Sequence, residues 1–305
     1  MSLSIAVVGA TGAVGREMLA VLEQRRFPLS SIRVFASPRS AGGKLPFKGG
    51  QLTVEPISDG WHTGIDCALL SAGSSVSKSI TPAAAAAGIA VIDNSSAFRM
   101  DPDVPLVVPE INADVLPCPA RSPALRKGCI VAVPNCTAII LLMGLTPLHR
   151  AFGVERVVVS TYQAASGAGA QAMAALQQET RDAVAGQPPR ATAFHEPYAF
   201  NLFSHNAAVD HTTGLNGEEQ KVIDESRKIW NAPGLRLSVT CVRVPVMRAH
   251  CESVNVTLKS HATLAQVRAA IEAFPGVRVV DDRLANRFPT PHKASGGDDV
   301  LVGRL

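Results

Sequence analysis

The sequence feature that most constrains the fold lies at the N-terminus, where an apolar run leads into a turn with three glycines. Ser4–Val8 (SIAVV) has the composition of a buried strand, and GATGAVG follows at Gly9–Gly15. In Arg16–Gln24 the apolar residues recur on one face, which predicts an amphipathic helix. A strand, a glycine turn and a helix in this order are typical of a dinucleotide-binding unit in a parallel α/β sheet.

The glycine turn supplies the first candidate binding residues. Glycine lets the backbone approach a pyrophosphate closely, and the N-terminus of the following helix stabilises its negative charge. The spacing G-x-x-G-x-x-G departs from G-x-G-x-x-G, and a plain tight turn is the alternative. Such a turn accounts for one glycine but not for three in register before a helix. The predicted cofactor contacts here are Gly9, Thr11, Gly12, Ala13, Val14 and Gly15.

The end of the second predicted strand, Ile32–Ala36, indicates which cofactor is bound. An NAD site places Asp or Glu near this point to bind the ribose 2′-hydroxyl. The chain instead reads SPRSAGGK, with Arg39 between Ser37 and Ser40 and no carboxylate. A guanidinium flanked by hydroxyls suits a 2′-phosphate. A solvated polar loop is the alternative, but after the glycine turn this segment favours NADP.

Alternating strands and helices continue to about residue 133. Ile65–Leu70 and Ala90–Asp93 are predicted strands, and Ile80–Ala87 is a predicted helix between them. A Pro-rich loop is expected at 117–123. The pattern predicts the fold class α/β, with a doubly wound Rossmann-type NADP-binding domain over residues 1–133. Longer strands beyond this point predict an α+β domain over residues 134–305.

A cysteine lies where the domains change. Ile130–Val133 is a predicted strand, Pro134 ends it, and Thr137–Leu145 is apolar enough to form a buried helix. Cys136 is therefore expected at the N-terminus of a helix. The helix dipole and unpaired N–H groups at such a position lower the pKa of a thiol and stabilise an oxyanion. A small buried hydrophobic residue is the alternative, and this stretch alone leaves the two interpretations even.

The second half of the chain carries the remaining predicted elements. The strands are Val154–Gln163, Leu237–Val244 and Cys251–Leu258, and helices are expected over Ala170–Ala185 and from Asn216 to about Trp230.

Asn216 with Glu219 three positions later is typical of a capping box. Glu218 and Lys221 lie at the edge of the apolar face of the same helix. Taken by themselves they are predicted to be paired surface charges. Three histidines in loop-like segments are predicted to be ordinary surface or packing residues: His195, His205 and His211.

Arg243 and His250 bound the connection between the last two long strands. They are seven positions apart, which on one unbroken strand would place them on opposite faces. Pro245 interrupts the strand, so a turn is expected to bring both side chains into one pocket facing Cys136. His250 is then the candidate base for a thiol nucleophile.

Composition excludes several other classes of protein. A net charge of +4 over 305 residues, without a Lys/Arg run, does not favour nucleic-acid binding. No apolar run reaches the length of a membrane span, and no cleavable leader precedes the first strand. The six cysteines contain no C-x-x-C pair and no metal-like spacing with histidine, which predicts a reduced, cytoplasmic protein without zinc.

Taken together, these segments resemble the aspartate-β-semialdehyde dehydrogenase family along nearly the whole chain and in order. The matching stretches are GATGAVG at 9–15, SAGSSVS at 71–77, DNSSAFRM at 93–100, VPEIN at 108–112, PNCT at 134–137, YQAASGAG at 162–169, EEQK at 218–221 and RVPVMRAHCES at 243–253. The combination is much more specific than any one of these motifs.

The resemblance implies a role for each residue that matches a family motif. Cys136 becomes the acylated nucleophile and His250 the acid/base, while Arg243 takes the substrate carboxylate. Gln163 and Glu218 help Arg243 to orient the amino acid portion of the substrate, so the resemblance overrides the surface-charge interpretation of Glu218 and Lys221. The phosphate-binding set is Arg99, Asn135 and Lys221, and the nicotinamide contacts are Ser166 and Gly167.

The implied reaction is the reduction of β-aspartyl phosphate by NADPH to aspartate semialdehyde and phosphate, in the biosynthesis of lysine, threonine and methionine. The second domain would then be the catalytic and dimerisation domain of a homodimer or homotetramer. Family members continue past the strand matched by 300–305 with a helix that returns to the cofactor domain. Because this chain ends at Leu305, we expect either a shortened chain or weaker cofactor binding. The alternatives are another acyl-phosphate reductase, such as N-acetylglutamyl-phosphate reductase, and a non-catalytic NADP-binding paralogue.

Overall fold

The computed structural model describes residues 2–116 and 128–305. The Pro-rich loop expected at 117–123 and Cys118 lie outside the described residues. The chain divides into two compact units, one of Met1–Val108 with Asn112–Pro134 and the other of Pro109–Ile111 with Asn135–Leu305.

The first unit is built around a seven-stranded sheet in the order β3-β4-β2-β1-β5-β6-β7. Every neighbouring pair is parallel except β3 with β4. The strands are β1 (Leu3–Val8), β2 (Leu29–Ala36), β3 (Lys44–Phe47), β4 (Gly50–Pro56), β5 (Cys67–Leu70), β6 (Ala90–Asp93) and β7 (Cys129–Ala132), and the helices are α1 (Ala13–Gln24) and α2 (Ser74–Ala86).

Both faces of this sheet are buried. Ile5 and Val7 of β1 pack in one hydrophobic cluster, and Ala6 and Val8 of the same strand pack in a second cluster on the opposite face. A strand that is apolar on both faces is typical of a parallel sheet covered on each side. The fold class predicted from the alternating strands and helices is confirmed.

Two predictions for this unit are wrong in detail. The hairpin of β3 and β4 was not predicted, because β3 has only four residues and one of them is Pro46. Helix α2 begins at Ser74, well before the predicted start at Ile80. Serine favours turns when read alone, but here the buried Ser77 hydroxyl donates to Asp93 on β6 at 2.6 Å. This tertiary contact stabilises a helical turn that local propensity does not favour.

The second unit contains a four-stranded sheet in the order β11-β8-β10-β9 and a two-stranded parallel sheet of β12 and β13. Its strands are β8 (Val154–Gln163), β9 (Phe203–Ser204), β10 (Arg236–Arg243), β11 (Cys251–Leu258), β12 (Val277–Val279) and β13 (Val300–Val302). The helices that follow α2 in the chain are α3 (Pro109–Asn112), α4 (Cys136–Phe152), α5 (Ala170–Val184), α6 (Gly217–Ile229), α7 (Leu264–Glu272) and α8 (Pro291–Ala294).

One face of the four-stranded sheet is buried beneath α4 and α6. The predicted alternation along β10 is confirmed, since Val239, Cys241 and Arg243 all point to the buried face. The mixed sheet with helices on it confirms the predicted α+β arrangement. No helix within the described ranges is both long and apolar enough to cross a bilayer.

Candidate active site

Cys136 is the first residue of helix α4 and is exposed. Asn135 caps the helix, because its Oδ1 accepts hydrogen bonds from the backbone N–H groups of Thr137 at 2.9 Å and Ala138 at 3.4 Å. The thiol therefore lies at the positive end of the helix dipole, as predicted from the sequence. An exposed cysteine in this position is available to react, which disfavours the alternative of a buried packing residue.

Helix α6 holds this turn in place through two buried carboxylates. Glu225 accepts a hydrogen bond from the backbone N–H of Asn135, and Glu218 accepts one from the Asn135 side-chain amide at 2.8 Å. The prediction that Asn135 binds phosphate stays a prediction, and its side chain already has these two structural partners. Glu225 was not predicted from the sequence. The sequence feature that could have revealed this residue is a carboxylate on the same helix face as Val222 and Ile229, where a buried apolar residue is the norm.

Gln163, at the end of β8, connects the helix α4 turn to Glu218. Its Nε2 lies 3.1 Å from Thr137 Oγ1 and 3.0 Å from Glu218 Oε1. Lys221 reaches the other oxygen of Glu218 at 3.4 Å. The structure thus brings four of the predicted substrate-binding residues into one network: Asn135, Gln163, Glu218 and Lys221.

Glu218 keeps its negative charge in this network. Burial raises the pKa of Glu218, but the Asn135 hydrogen bond, the charge of Lys221 and the Gln163 hydrogen bond lower it, and the net shift is downward. The pKa therefore lies below its ordinary value, and the carboxylate is ionised at neutral pH.

The side chains of Arg243 and His250 both lie close to Gly167. A Cβ atom on Gly167 would lie 2.8 Å from Nε2 of His250 and 3.3 Å from NH1 of Arg243. Beyond β10 the chain turns at 244–246, where Val246 N–H donates to the carbonyl of Val244 at 2.7 Å. This turn includes Pro245 and brings the two side chains together despite their odd separation.

His250 is held in one orientation by the backbone of Ala164, whose N–H donates to Nδ1 at 2.9 Å. Burial lowers the pKa of His250 to about 4, and the charge of Arg243 acts in the same direction. The ring is therefore neutral at neutral pH. Because Nδ1 accepts, the single ring proton is on Nε2, which makes His250 a hydrogen-bond donor at that atom.

Arg243 is 3% exposed and lies beside Gln163 in the register of β10 with β8. Burial lowers the pKa of Arg243, whereas Tyr198, Glu218 and Cys136 each raise it, so the arginine is within electrostatic range of the thiol.

His205 is also buried, with Nε2 at 2.8 Å from NH2 of Arg243. Of the predicted alternatives for His205, a surface position is wrong, because loop-like sequence spacing does not reveal a buried contact across 38 positions.

The first unit contains most of the candidate cofactor residues. The N–H groups of Gly9 and Ala10 both donate to the Phe35 carbonyl on β2, which joins the glycine turn to that strand. Gly9 has a φ of +82°, and a Cβ there would lie 2.3 Å from the Ser71 carbonyl oxygen, so only glycine fits. Helix α1 begins after Gly12 without a side-chain cap, which leaves its first N–H groups available to an anion.

Arg39 is exposed in a short 3₁₀ turn, Pro38–Ser40, just after β2. Ser37 is also exposed, and Ser40 is partly buried. In the same unit, NH2 of Arg99 donates to the Asn94 carbonyl at 3.0 Å. In the second unit, Ser166 N–H donates to the Met247 carbonyl at 3.0 Å. The cofactor and phosphate contacts predicted for these residues stay predictions.

Gly167→Ala is expected to lower kcat/KM by about 10- to 100-fold, because the new methyl group would displace the His250 ring from the reacting atoms. Gly234→Ala is the matched control, since a Cβ there meets nothing within 4 Å. Steady-state kinetics and thermal unfolding of both variants test the prediction. Unchanged kcat/KM in Gly167→Ala would show that His250 does not need this close approach.

The fold and the site define a dehydrogenase with an NAD(P)-binding Rossmann-type domain. Residues 4–117 match the family model of the semialdehyde dehydrogenase NAD binding domain, and residues 145–305 match that of the semialdehyde dehydrogenase dimerisation domain. The chain belongs to the aspartate-semialdehyde dehydrogenase family.

Relatives and solved structures support this assignment over the whole chain. The chain is 45% identical to aspartate-semialdehyde dehydrogenase of Synechocystis, over 99% of this chain and 87% of the relative. The corresponding enzyme of Bacillus subtilis is 40% identical, over 99% and 87%. A crystal structure of aspartate semialdehyde dehydrogenase II of Vibrio cholerae complexed with ASA is similar with a TM-score of 0.93 at 37% identity, covering 100% of this chain and 88% of that one.

Proposed function

We propose that the protein catalyses the NADPH-dependent reductive dephosphorylation of β-aspartyl phosphate to aspartate semialdehyde through a thioester on Cys136. The observation that carries the proposal is the position of an exposed cysteine at the N-terminus of α4, in the same unit as the His250–Gly167–Arg243 cluster. The names of the relatives support the substrate, and the Vibrio cholerae structure described as complexed with ASA supports the binding of the aldehyde.

The chemistry begins with attack of the Cys136 thiolate on the acyl carbon of the substrate. The C–O bond to phosphate breaks, phosphate leaves, and a thioester forms. NADPH, when bound, supplies the hydride that reduces this thioester. The resulting hemithioacetal oxyanion collapses by breaking the C–S bond, which releases the aldehyde and restores the thiolate.

The fixed tautomer of His250 suits a particular role in this sequence. Its Nε2–H is oriented by the Ala164 bond to Nδ1 and would donate to the oxyanion of the hemithioacetal. Acting as a base at Nε2 would require the other tautomer and would break the Ala164 bond. Hydrogen-bond donation to the oxyanion is therefore the step that this arrangement favours, in place of the proton removal predicted from the sequence.

The substrate carries two anionic groups and one ammonium group, and the site residues complement them. Arg243 would bind the carboxylate, and the ionised Glu218 with Gln163 would orient the ammonium end. Lys221, whose side chain is 41% exposed, would reach the phosphate together with Arg99 and Asn135. Removing Glu218 would also loosen Asn135, so the carboxylate supports both the substrate and the cysteine turn.

The finer assignments belong to the same proposal. Residues 1–133 would bind NADP and residues 134–305 would form the catalytic and dimerisation domain of a cytoplasmic homodimer. The uncapped start of α1 fits the pyrophosphate, and the exposed Arg39 with Ser37 and Ser40 fits a 2′-phosphate. Ser166 and Gly167 would contact the nicotinamide, because Gly167 adjoins His250.

Arg39→Ala is expected to weaken NADPH binding by about 1–3 kcal/mol, the usual contribution of a charge-assisted contact, and to leave NADH binding nearly unchanged. Lys48→Ala is a control at another exposed cation in the same unit. Fluorescence titration of both cofactors measures the effect. Equal losses for NADPH and NADH would place Arg39 away from the 2′-phosphate.

The proposed reaction is tested in reverse with the purified chain. We expect NADPH formation from aspartate semialdehyde and NADP that depends on added phosphate. Activity with N-acetylglutamate semialdehyde instead would favour the related acyl-phosphate reductase. Cofactor binding without turnover of either aldehyde would favour a non-catalytic paralogue.

A further inference from the structure

We propose that His205 is a positioning residue that accepts a hydrogen bond from Arg243 and thereby fixes the guanidinium plane for the substrate carboxylate. This inference rests on the role of Arg243 in the proposed function. It adds a residue to that site which no sequence motif indicated.

The guanidinium of Arg243 is held at each of its three nitrogens. Nε donates to Asn206 Oδ1 at 3.2 Å, NH1 donates to the Ala164 carbonyl at 3.1 Å, and NH2 lies 2.8 Å from His205 Nε2. The centroid of the Phe194 ring lies 5.7 Å from the guanidinium carbon of Arg243. Three partners around a planar group fix both its position and its rotation.

Backbone pairing holds His205 at this place. β9 pairs antiparallel with the end of β10, with Phe203 opposite Arg243, and the N–H of His205 then donates to the Cys241 carbonyl at 2.8 Å. The histidine is 8% exposed. Its position relative to Arg243 is therefore set by the sheet and not by a loose loop.

The chemistry of the pair requires a neutral imidazole. A guanidinium can only donate, so Nε2 of His205 must accept and the ring proton must be on Nδ1. The N–H of Ala207 lies 3.1 Å from Nδ1, so both ring nitrogens face donors and a protonated ring has an acceptor at neither. The contact at 2.8 Å is the shorter of the two and is charge-assisted, which makes it the dominant one.

Burial and the charged groups around His205 on balance lower its pKa. Burial and, after it, the charge of Arg243 lower the pKa of His205 to about 4, with smaller contributions from Lys221 and His250 in the same direction and from Glu218 in the opposite one. His205 is thus neutral at neutral pH. It gains a proton only on acidification towards pH 4, when Nε2 would no longer accept from Arg243.

The remaining donors of Arg243 match the ligand. A guanidinium has five N–H bonds, and three are directed to Asn206, Ala164 and His205. Within the described residues the other two, one on NH1 and one on NH2, have no such partner, and two is the number that a bidentate carboxylate requires. Without the His205 acceptor, NH2 would lose its anchor and the pair of donors could rotate away from the substrate.

Two substitutions at His205 separate positioning from packing. The side-chain oxygen of glutamine reaches the place of Nε2, whereas asparagine reaches only the place of Nδ1. His205→Asn is therefore expected to raise KM for aspartate semialdehyde by about 10- to 100-fold, with KM for phosphate changed by less than about 3-fold. His205→Gln is expected to restore KM to within about 5-fold of the wild type. His195→Asn is the control, because His195 packs on Phe203 in the same region.

The outcomes of this experiment test the proposed function and the positioning role of His205 separately. Wild-type protein without phosphate-dependent turnover would overturn the proposed function itself. Active wild type with equal KM values for His205→Asn and His205→Gln would overturn the positioning role and leave His205 as a packing residue. If His205→Asn does not fold, ¹⁵N spectra of the wild-type imidazole at pH 7 provide the test. We expect a neutral ring protonated at Nδ1, and an Nε2-protonated or charged ring would overturn the inference.

Discussion

Cys136→Ala is expected to abolish phosphate-dependent turnover of aspartate semialdehyde, a loss of at least about 10³-fold, while NADPH binding persists. The thiolate forms the covalent bond in the proposed reaction, and alanine offers no nucleophile in its place. The substitution should leave the helix cap intact, because Asn135 and Glu225 form it without the thiol. Turnover and NADPH titration on the same preparation measure the two effects.

The reactivity of the wild-type thiols provides an independent check. Burial raises the pKa of Cys67 and of Cys241 to about 12, and burial also raises the pKa of Cys251, so these three are poor nucleophiles at neutral pH. Cys136 is exposed at a helix N-terminus and should be alkylated first by iodoacetamide near pH 7. Inactivation should follow its modification in mass spectra. Faster alkylation of another cysteine, together with an active Cys136→Ala variant, would contradict the thioester mechanism.

Arg243→Lys is expected to raise KM for aspartate semialdehyde and to lower kcat/KM by about 10- to 10³-fold. Lysine keeps the positive charge but cannot present two parallel donors to a carboxylate. It also cannot satisfy Asn206, Ala164 and His205 together, so the buried Ala164 carbonyl and His205 ring would lose donors. Misplacing the carboxylate also moves the acyl carbon away from the thiol, so kcat should fall as well.

The control for this prediction lies on the same strand. Arg236 begins β10 but is exposed and paired with Glu155, so Arg236→Lys should change kcat/KM by less than about 2-fold. Steady-state kinetics of both variants, with circular dichroism to confirm folding, make the comparison. Near wild-type kcat/KM in Arg243→Lys would mean that another group holds the carboxylate.

The site residues show which functional features local sequence can predict. Cys136 was predictable because a strand, a proline and an apolar run define a helix N-terminus within about twenty residues. The Asn216 and Glu219 capping box is confirmed for the same reason, as both partners lie in one helical turn. The surface-charge interpretation of Glu218 is wrong, because nothing within its own helix reveals that Asn135 and Gln163 cover it.

By itself, the sequence determined the features that depend on short-range pattern. The glycine turn, the apolar strands on either side of it and the alternation along β10 each follow from neighbouring residues and backbone geometry. They were enough to predict an α/β fold and a cysteine at a helix terminus.

Only the tertiary structure decided which polar residues are buried together. Glu225 meets the Asn135 backbone across 90 positions, His205 meets Arg243 across 38, and Ser77 meets Asp93 across 16. A buried polar group must find a partner, but a sequence pattern does not say which one, because the choice depends on how distant segments pack. The same packing orients His250 as a donor and gives Arg243 its three anchors.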